Sequence, residues 1–427
     1  MRIAYLPFGS ITVYNMARII MWFISFISLY FTIVWLFFIF LKGKVCDTKK
    51  IQLPFVTLAV PAYNEEKTII RTIESLLLLD YPQQKYEIII IDDGSTDSTS
   101  TLVQNFMQKN ADAPLIFIHQ KNKGKAAALN NALSHARGTL FACVDADSTV
   151  DPKALRPMIP HFQDPRLGAV ISIIKVRNTK NIYARMQRIE YTISAFTRRL
   201  MARIQTLAMT PGVLSVYKTN VLFQIGKFAE NNMTEDFEIA LRLKYHGFLI
   251  AIEPESITYT DVPSTFHKLA RQRIRWFRGF ITNHVIYKDM FFNKKYATFG
   301  FFQLPLNILG VLILLLSTTL IAITIMLDAY EFSIRSLLIT DYFGAHVFIF
   351  PSLKEFFLGQ DLQIMIPITI ASFLGFYFMY LAHKEIKEKI IRFPVSIWLY
   401  LVVFPYLTTF HWLSAITQEI LRMKKKW

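Results

Sequence analysis

Four long apolar stretches restrict what this chain can fold into more than any other feature of its sequence. They contain no Lys, Arg, Asp or Glu and run from Ile19 to Leu41, from Phe299 to Leu327, from Leu362 to Ala382 and from Phe393 to Ile416. Each has about 20 residues or more, enough for a helix to cross the roughly 30 Å hydrocarbon core of a bilayer. We therefore expect an integral, multi-pass protein of the cell membrane, with an all-α membrane part.

The first apolar stretch and the residues beside it predict the orientation of the protein in the membrane. It is too long for a cleaved signal peptide and lacks a small-residue cleavage site, so we expect a retained transmembrane helix within residues 1–41. Four lysines follow it closely, namely Lys42, Lys44, Lys49 and Lys50. By the positive-inside rule these lysines place the next region in the cytosol, although Arg2 and Arg18 on the other side oppose this bias.

The end of the chain carries two basic clusters that compete for the cytosolic side, His383–Arg392 and Arg422–Lys426. A single membrane crossing between the two clusters would put them on opposite sides of the membrane, so both could not be cytosolic. Pro394 and Pro405 allow a break or a re-entrant hairpin in the last apolar stretch, which would place both clusters in the cytosol. Residues 333–358 are a further element, expected as an amphipathic segment at the far interface. We expect four membrane segments, with five as the alternative.

The net charge of +16 does not indicate a nucleic-acid-binding protein. Lys and Arg are spread along the chain and concentrate beside the apolar stretches instead of forming one basic arm. Lipid headgroups and anionic phosphates are the expected partners, and no nucleic acid is expected. The two cysteines, Cys46 and Cys143, are far apart, and Cys143 lies in an apolar run. We expect neither a disulfide nor a zinc site.

Between the first and second apolar stretches, the region Lys42–Thr298 has a mixed composition and is large enough for a globular domain. Short apolar runs alternate there with helical patterns, which predicts a parallel sheet wrapped by helices. The predicted strands are Phe55–Val60, Tyr86–Ile91, Leu115–Ile118 and Leu140–Val144, and the predicted helices are Thr68–Leu79 and Lys125–Ala136. This is a doubly wound, Rossmann-like start, in which ligands bind beyond the carboxyl ends of the strands.

Carboxylates stand at three of those strand ends. They occur in Pro61–Glu66, in Asp92–Asp97 and in the triplet Asp145-Ala-Asp147. Helix capping is an equal alternative for Asn64 with Glu65, or for Asp97, taken singly. Together the carboxylates favour a cation, because two aspartates one residue apart repel each other unless positive charge lies between them. Hard oxygen ligands suit Mg²⁺ or Mn²⁺, which take further ligands from substrate phosphates, so a diphosphate is implied.

Two later segments complete the predicted site. Asn122–Asn130 supplies Lys125 and a helix amino end near the expected anion, although a plain glycine turn that opens a helix is an alternative. No ATP-binding or strong dinucleotide-binding glycine motif is present. Thr234, Glu235 and Asp236 precede a predicted helix, Phe237–Tyr245, where capping is again an alternative. A displacement at an anomeric carbon needs a carboxylate base, and Asp236 is the candidate.

A basic and aromatic helical stretch, Ser264–Asn283, precedes the second apolar segment. Gln272, Arg275 and Trp276 fall at i, i+3 and i+4 and therefore share one face of it. Helices of this composition beside a membrane segment are often interfacial anchors. Such a helix could lie on the bilayer and still point these three side chains into the predicted site.

In their order and spacing these motifs resemble the inverting, metal-dependent family-2 glycosyltransferases, especially the processive membrane synthases of cellulose, chitin, hyaluronan and poly-N-acetylglucosamine. The resemblance covers roughly Val56 to Asn283. It implies a GT-A fold, with Asp93 and also Asp92 near a uridine and with Asp145 and Asp147 holding diphosphate and metal. It further implies that Asp236, beside Glu235, is the general base.

The resemblance also assigns binding residues. For the nucleotide sugar these are Pro61, Tyr63, Glu65, Asp92, Asp93, Lys125, Asp145, Ala146, Asp147, Gln272, Arg275 and Trp276. For the acceptor they are Gly212, Thr234 and Trp276. Gln272, Arg275 and Trp276 match the Q-x-x-R-W motif that marks processive relatives. Pro211 stands where many relatives have Ser, and Lys218 where they have Arg, so the acceptor contacts differ from the family pattern.

The resemblance implies three regions after the helix of residues 1–41. Residues 42–263 would form the cytosolic GT-A domain, residues 264–298 the amphipathic interface helices, and residues 299–427 a transmembrane region with three or four segments. We expect transfer from UDP-N-acetylglucosamine to a growing β-linked polysaccharide that leaves through the membrane part, with Mg²⁺ or Mn²⁺ as cofactor. The length and layout resemble poly-β-1,6-N-acetylglucosamine synthases, although their usual pair of amino-terminal helices is here a single one.

The alternatives are a hyaluronan- or cellulose-like synthase and a non-processive transferase with a lipid-linked acceptor. From a different class, the chain could be a non-catalytic membrane subunit or a transporter. Transporters normally carry ionisable residues within their membrane segments, and these four stretches have no Lys, Arg, Asp or Glu. The expected partners are the UDP-sugar, the acceptor and the bilayer, with room for an accessory export subunit.

Overall fold

The strands of the described chain form one mixed eight-stranded sheet. The structure is a computed structural model, and it describes residues 8–41, 52–346, 362–389 and 394–423. The strands are β1 (Val56–Ala62), β2 (Tyr86–Asp92), β3 (Leu115–His119), β4 (Leu140–Cys143), β5 (Thr149–Val150), β6 (Leu167–Val176), β7 (Ser215–Lys218) and β8 (Leu249–Thr260). Their order across the sheet is β3-β2-β1-β4-β7-β6-β8-β5.

The helices divide between those around the sheet and those of the apolar stretches. The former are α2 (Ile69–Leu77), α3 (Thr99–Lys109), α4 (Lys125–His135), α5 (Ile182–Arg203), α6 (Thr219–Gln224), α7 (Glu235–Tyr245) and α8 (Phe266–Ile286). The latter are α1 (Phe8–Phe37), α9 (Leu304–Leu338), α10 (Tyr342–His346), α11 (Leu362–Ile386), α12 (Pro394–Val402) and α13 (Phe404–Ile420). The chain separates into two compact units, one of Met1–Phe40 with Leu306–Leu381 and one of Leu41–Pro305 with Ala382–Trp427.

The predicted Rossmann-like start is confirmed. β1 pairs in parallel with β2 and with β4, and β2 pairs in parallel with β3, so four strands run in one direction. β7 then pairs antiparallel with β4 and β6, which makes the whole sheet mixed. The four predicted strands and the two predicted helices of this start end within two residues of the observed ones, whereas α3 was not predicted. The architecture is that of a GT-A domain.

Burial explains why these segments form central strands. Ile88, Ile89, Ile90 and Ile91 of β2 have no exposed surface, as expected for a parallel strand covered on both faces. Glu87 is also fully buried, but its charge is compensated, because its carboxylate accepts hydrogen bonds from Thr57 Oγ1 and Arg137 Nε, each at 2.7 Å.

β1 ends two residues later than predicted, so Pro61 lies inside the strand and not in the loop that follows. It is in register with Ile91 of β2. The pairing of β1 with β4 ends at Ala59, so β1 has a paired neighbour on only one side at Pro61. A proline is tolerated there because an edge position does not require its missing N–H.

Three helical segments of the described chain are long and apolar enough to cross a membrane, Arg18–Phe40, Phe299–Leu338 and Leu362–Ile386. They coincide with the first three predicted stretches. The predicted interface element at residues 333–358 begins inside α9, and its part from residue 347 onwards lies outside the described residues. Cys46, the four lysines after the first stretch and the ends of both basic clusters also lie outside them.

The fourth apolar stretch is broken, as its prolines indicated. α12 and α13 meet at an angle of 42° and together could form one span or a re-entrant loop. α13 packs along α8, where the rings of Trp412 and Phe277 stack with their centroids 4.1 Å apart. Arg278 of α8 also forms an ion pair with Glu419. The C-terminal helix is therefore anchored to the helix that carries the predicted Q-x-x-R-W motif.

Candidate active site

The Asp145–Asp147 turn follows β4 at the carboxyl edge of the sheet, where its backbone is held by two side chains. Thr72 of α2 shares its hydroxyl proton between the carbonyl oxygens of Ala146 at 2.8 Å and Ser148 at 2.7 Å. Arg177 donates from Nη2 to the carbonyl oxygen of Asp147 at 3.2 Å and forms an ion pair with Asp261 at 2.6 Å. These contacts fix the positions of the two carboxylates.

Lys125 connects two acidic motifs that are far apart in sequence. Its Nζ lies 2.6 Å from Asp145 Oδ1 and 3.0 Å from Glu235 Oε1. Burial lowers the pKa of Lys125, but the charges of Asp145, Glu235 and Asp236 outweigh that effect and raise it well above its usual value. The positive charge predicted beside the aspartates is therefore supplied in part by the protein itself.

Gly212 lies against this ion pair. A Cβ atom at this position would lie 2.5 Å from Asp145 Oδ1 and 2.6 Å from Lys125 Nζ. Only a glycine lets the backbone approach so closely. The structure thus brings Gly212, predicted beside the acceptor, into contact with the residues predicted for the diphosphate.

The remaining carboxylates of this edge lie close enough to influence each other. Burial, followed by the charges of Asp145 and Glu65, raises the pKa of Asp147 to about 6. Burial also raises the pKa of Glu65, and the hydrogen bond from Thr68 Oγ1 at 2.6 Å only partly counteracts it. Crowded acids of this kind favour a bound cation.

Asp145 and Asp147 offer the hard oxygen donors that Mg²⁺ and Mn²⁺ prefer. Within the described residues no group of three or more His, Cys, Asp or Glu side chains is arranged to hold an ion. The pair is therefore a partial ligand set. Magnesium sites in nucleotide-binding proteins commonly use one or two carboxylates and complete their shell with phosphate and water. The residues present fit an ion that arrives with a diphosphate.

Asp92 ends β2, Asp93 follows it, and both are almost fully buried. Burial raises the pKa of Asp92, but hydrogen bonds from Ser95 and His119 outweigh this and lower it. Asp93 accepts from the backbone N–H groups of Lys123 at 2.9 Å and Gly124 at 2.8 Å. The predicted anion site at the amino end of α4 is thus partly filled by the carboxylate of Asp93.

The loops after β1 and β2 are joined by reciprocal hydrogen bonds. The Asn64 N–H donates to Ser95 Oγ at 2.9 Å, and the Thr96 N–H donates back to Asn64 Oδ1 at 2.8 Å. The Glu66 N–H donates to Asp97 at 3.2 Å. Tyr63 projects from this joined surface with 48% of its area exposed, free to contact a ligand.

The Thr234-Glu235-Asp236 motif begins α7 two residues earlier than predicted. Thr234 is the N-cap residue and makes no side-chain capping hydrogen bond, whereas Asp236 Oδ1, in the first turn of the helix, accepts from the N–H of Phe237 at 2.8 Å. Burial, followed by the charge of Glu235, raises the pKa of Asp236 to about 6, in the range of a general base. Thr234 is buried, accepts from Asn283 Nδ2 at 3.0 Å and packs on Gly279. Its predicted acceptor contact stays a prediction.

The Q-x-x-R-W residues lie on α8. Arg275 is exposed, and its charge acts on Asp236. Gln272 has a buried side-chain oxygen without a hydrogen-bond partner among the described residues. The ring of Trp276 carries the Arg273 guanidinium 4.3 Å from its centroid, and Arg273 forms an ion pair with Glu190 of α5 at 2.6 Å.

Five residues that contact the predicted site or its neighbours were not predicted from the sequence. They are Thr72, Arg177, Glu190, Asp261 and Arg273. Thr72 and Arg177 act through backbone carbonyls, and their partners lie far away in the chain. Arg273 stands inside the Q-x-x-R-W motif, which was the one local signal for it.

The topology of the sheet and its edge of carboxylates define a glycosyltransferase with a GT-A domain. The family described as Glycosyl transferase family 2 matches residues 57–226. A poly-beta-1,6-N-acetyl-D-glucosamine synthase of Staphylococcus aureus (strain COL) is 34% identical over 307 residues, which are 68% of this chain and 72% of the relative. The chain belongs to glycosyl transferase family 2.

A second relative and one solved structure are also similar to this chain. The synthase of the same description from Staphylococcus epidermidis is 32% identical over 262 residues, which are 60% of this chain and 63% of the relative. Among solved structures, the mannosyltransferase PcManGT from Pyrobaculum calidifontis, in complex with GDP-Man and Mn²⁺, aligns with a TM-score of 0.60. That alignment covers 84% of this chain and 96% of the mannosyltransferase at 19% identity, so it bears on the fold alone.

Proposed function

We propose that this enzyme transfers N-acetylglucosamine, with inversion, from UDP-N-acetylglucosamine to a growing β-linked polysaccharide, and that it does so processively and passes the product across the membrane. The donor is supported by the identity to the two staphylococcal synthases, which extends well beyond the residues matched by the family. The observation that carries the proposal is the cluster in which Lys125 bridges Asp145 and Glu235, next to Asp236. This cluster brings the residues proposed to bind the diphosphate next to the proposed general base.

In the proposed reaction Asp236 accepts the proton of the acceptor hydroxyl as that oxygen attacks the anomeric carbon. The bond from this carbon to the diphosphate breaks in the same step, which inverts the configuration without a covalent intermediate. Charge accumulates on the leaving diphosphate, and Lys125 and Arg275 are the cations available to stabilise it. A divalent cation on Asp145 and Asp147, Mg²⁺ or Mn²⁺, would neutralise part of the same charge.

The predicted nucleotide contacts extend this proposal. Asp92, Asp93 and Tyr63 would border the uridine. The face of α8 with Gln272, Arg275 and Trp276 would border the diphosphate, and Trp276 would also border the acceptor. The aromatic ring of Trp276 suits stacking on a sugar. Processivity is supported by the Q-x-x-R-W sequence and by the anchoring of α13 along that helix.

The membrane arrangement forms part of the same proposal. The helical segments Arg18–Phe40, Phe299–Leu338 and Leu362–Ile386, with the α12 and α13 pair, would make the protein multi-pass, with residues 42–298 in the cytosol where nucleotide sugars are made. A polymer rich in hydroxyl groups cannot cross lipid and needs a path lined by protein. An accessory export subunit could extend that path.

The test is a panel of UDP-sugars and GDP-mannose, incubated with the purified full-length enzyme in nanodiscs, with Mg²⁺, Mn²⁺ or EDTA. We expect nucleotide release only with UDP-N-acetylglucosamine and a divalent cation, together with a product series longer than ten sugars. Asp236→Asn is the matched inactive control, since it removes the base and keeps the size of the side chain. Release from another donor would refute the substrate, and single-sugar products would refute processivity.

A further inference from the structure

Arg273 stands inside the Q-x-x-R-W motif, but it is buried, whereas Arg275 two residues later is exposed. Its guanidinium carbon lies 4.3 Å from the centroid of the Trp276 ring. This distance is within the range of a cation–π contact, and residues three positions apart are neighbours on a helix surface. The guanidinium therefore covers one face of the indole ring.

Glu190 of α5 holds this guanidinium. Its Oε2 atom accepts a hydrogen bond from Arg273 Nη2 at 2.6 Å, so the two groups form an ion pair. The side chain of Arg273 is 7% exposed and that of Glu190 is 27% exposed, so salt and solvent screen this pair less than a surface pair. Within the described residues, the buried Nε of Arg273 has no hydrogen-bond partner. The position of the guanidinium therefore depends on Glu190 and on the ring.

α5 is a fixed support for this ion pair, because two further side chains join it to the segment in front of α8. Asn181, the N-cap residue of α5, donates from Nδ2 to the carbonyl oxygen of Ser264 at 2.9 Å. Gln187 is fully buried, and its Nε2 donates to the carbonyl oxygen of Pro263 at 2.7 Å. Glu190 lies about one helical turn after Gln187, in a part of α5 that is already attached to this region.

The backbone at Trp276 is held by α13. The rings of Phe277 and Trp412 stack with their centroids 4.1 Å apart, and Arg278 forms an ion pair with Glu419. These contacts fix the helix at the two residues that follow Trp276. The orientation of the indole about its two side-chain torsions is a separate matter, and the guanidinium described above is the group stacked against it.

We propose that Glu190 and Arg273 are positioning residues, which hold the indole ring of Trp276 so that its uncovered face stacks on the sugar at the end of the acceptor. This inference rests on the proposed function, in which Trp276 borders the acceptor. A ring that is already fixed in its binding orientation loses less conformational entropy when a sugar stacks on it. The pair thus acts on the acceptor through Trp276.

A plain tie between α5 and α8 is the competing explanation, and variants of the full-length enzyme separate the two. Arg273→Lys keeps a cation for Glu190 but removes the planar guanidinium. The double variant Glu190→Gln with Arg273→Met removes both charges, so that neither is left buried alone. Trp276→Ala removes the ring. Arg271→Met is the matched control, an exposed arginine of the same helix whose Nη2 lies 3.1 Å from His267 Nε2.

Initial rates are measured with acceptor oligosaccharides at saturating UDP-N-acetylglucosamine, and with the donor at saturating acceptor. Product length, donor hydrolysis without acceptor and the unfolding temperature are recorded on the same preparations. We expect the double variant to raise the acceptor KM about five- to tenfold and to shorten the products, since a partly buried cation–π contact is worth about this factor.

The other readouts of the double variant should stay near their wild-type values. The donor KM and acceptor-free hydrolysis should change less than about twofold, because the diphosphate contacts are untouched. The unfolding temperature should be close to that of the wild type, because a buried ion pair is replaced by neutral side chains of similar size. Arg273→Lys should give a smaller rise of the acceptor KM, and Arg271→Met should give none.

A cycle with Trp276→Ala decides between the two explanations. If the pair acts through the ring, adding the double variant to Trp276→Ala should raise the acceptor KM no further. Additive effects would overturn the proposal, and so would a wild-type acceptor KM in either Arg273 variant or in Trp276→Ala. An equal rise of the donor KM would assign the pair to the diphosphate instead. Should the double variant fail to fold, Arg273→Lys is taken through the same cycle.

Failure of the proposed function is visible in the wild-type enzyme alone. If the enzyme uses a donor other than UDP-N-acetylglucosamine, the proposed function fails. The cycle is then measured with that donor and its acceptor, and its outcome still decides whether Glu190 and Arg273 position Trp276. The two failures are therefore distinguishable.

Discussion

Gly212→Ala is the most direct test of the geometry at the acidic edge. The added methyl group would lie 2.5 Å from Asp145 Oδ1 and 2.6 Å from Lys125 Nζ, about 1 Å closer than ordinary contact. The ion pair between these atoms, now 2.6 Å long, cannot persist with a carbon atom wedged against both. A charge-assisted hydrogen bond contributes about 1.5–3 kcal/mol, or roughly 10- to 150-fold in a rate constant.

We expect the lower part of that range for Gly212→Ala. The side chains of Lys125 and Asp145 are 35% and 28% exposed, so solvent screens part of their attraction. The enzyme should therefore lose about 10- to 30-fold in kcat/KM for the donor, by the same conversion of free energy to rate. Its stability should change by less than about 1 kcal/mol, because alanine also restricts the unfolded chain.

The assay is donor-dependent UDP release by the purified enzyme, with thermal unfolding measured on the same preparation. Gly310→Ala is the matched control, since a Cβ atom there meets nothing within 4 Å. Wild-type kcat/KM in Gly212→Ala would refute the reasoning, because it would mean that Asp145 and Lys125 move apart without functional cost. A collapse of the unfolding temperature would equally refute it, since the effect would then be one of folding.

Three further predictions concern the surroundings of the site. Gly279→Ala should destabilise the protein by about 1–3 kcal/mol, because its Cβ would lie 2.2 Å from Thr234 Oγ1; Thr234→Ala in the same chain should restore most of the unfolding temperature, and independent effects would refute the contact. Thr72→Val should weaken donor binding about tenfold by removing the hydroxyl that holds the Asp145–Asp147 turn; Thr72→Ser should retain near wild-type KM, and equal defects in both variants would contradict this. Since the pKa of Asp236 is raised to about 6 and the base must be ionised, kcat/KM should be constant above about pH 7 and fall about tenfold per unit well below pH 6; a profile that is level down to pH 5 would exclude Asp236 as the base.

The sequence was sufficient for the fold class and for the parallel start of the sheet, whereas the later strands β5 to β8, which make the sheet mixed, were not predicted. Runs such as Tyr86–Ile91 could be predicted as buried strands because their apolar character is continuous and local. Asp92, Asp145 and Asp147 could be predicted to lie together because strand ends of a parallel sheet converge at one edge, whatever the loops between them do. Asp236 was instead singled out by its place in the Thr234-Glu235-Asp236 motif before a predicted helix.

The supporting contacts could not be predicted in the same way. Lys125 and Glu235 meet only because α4 and the start of α7 come together in three dimensions. The pattern of apolar residues in the sequence carries no information about the distance between these two segments. Thr72 and Arg177 bind carbonyl oxygens, which every residue possesses, so the sequence of the partner carries no signal. Gly212 was noticed for its place in a motif, whereas its contact with Asp145 required coordinates.

The bonds that Asp93 forms with Lys123 and Gly124 have a kinetic consequence for the nucleotide. The loop before α4 is already closed by an internal carboxylate, and the loops after β1 and β2 are already joined through Asn64 and Ser95. Little conformational entropy remains to be lost at this edge when a nucleotide binds. Association of the proposed nucleotide with this edge should then be a single rapid step.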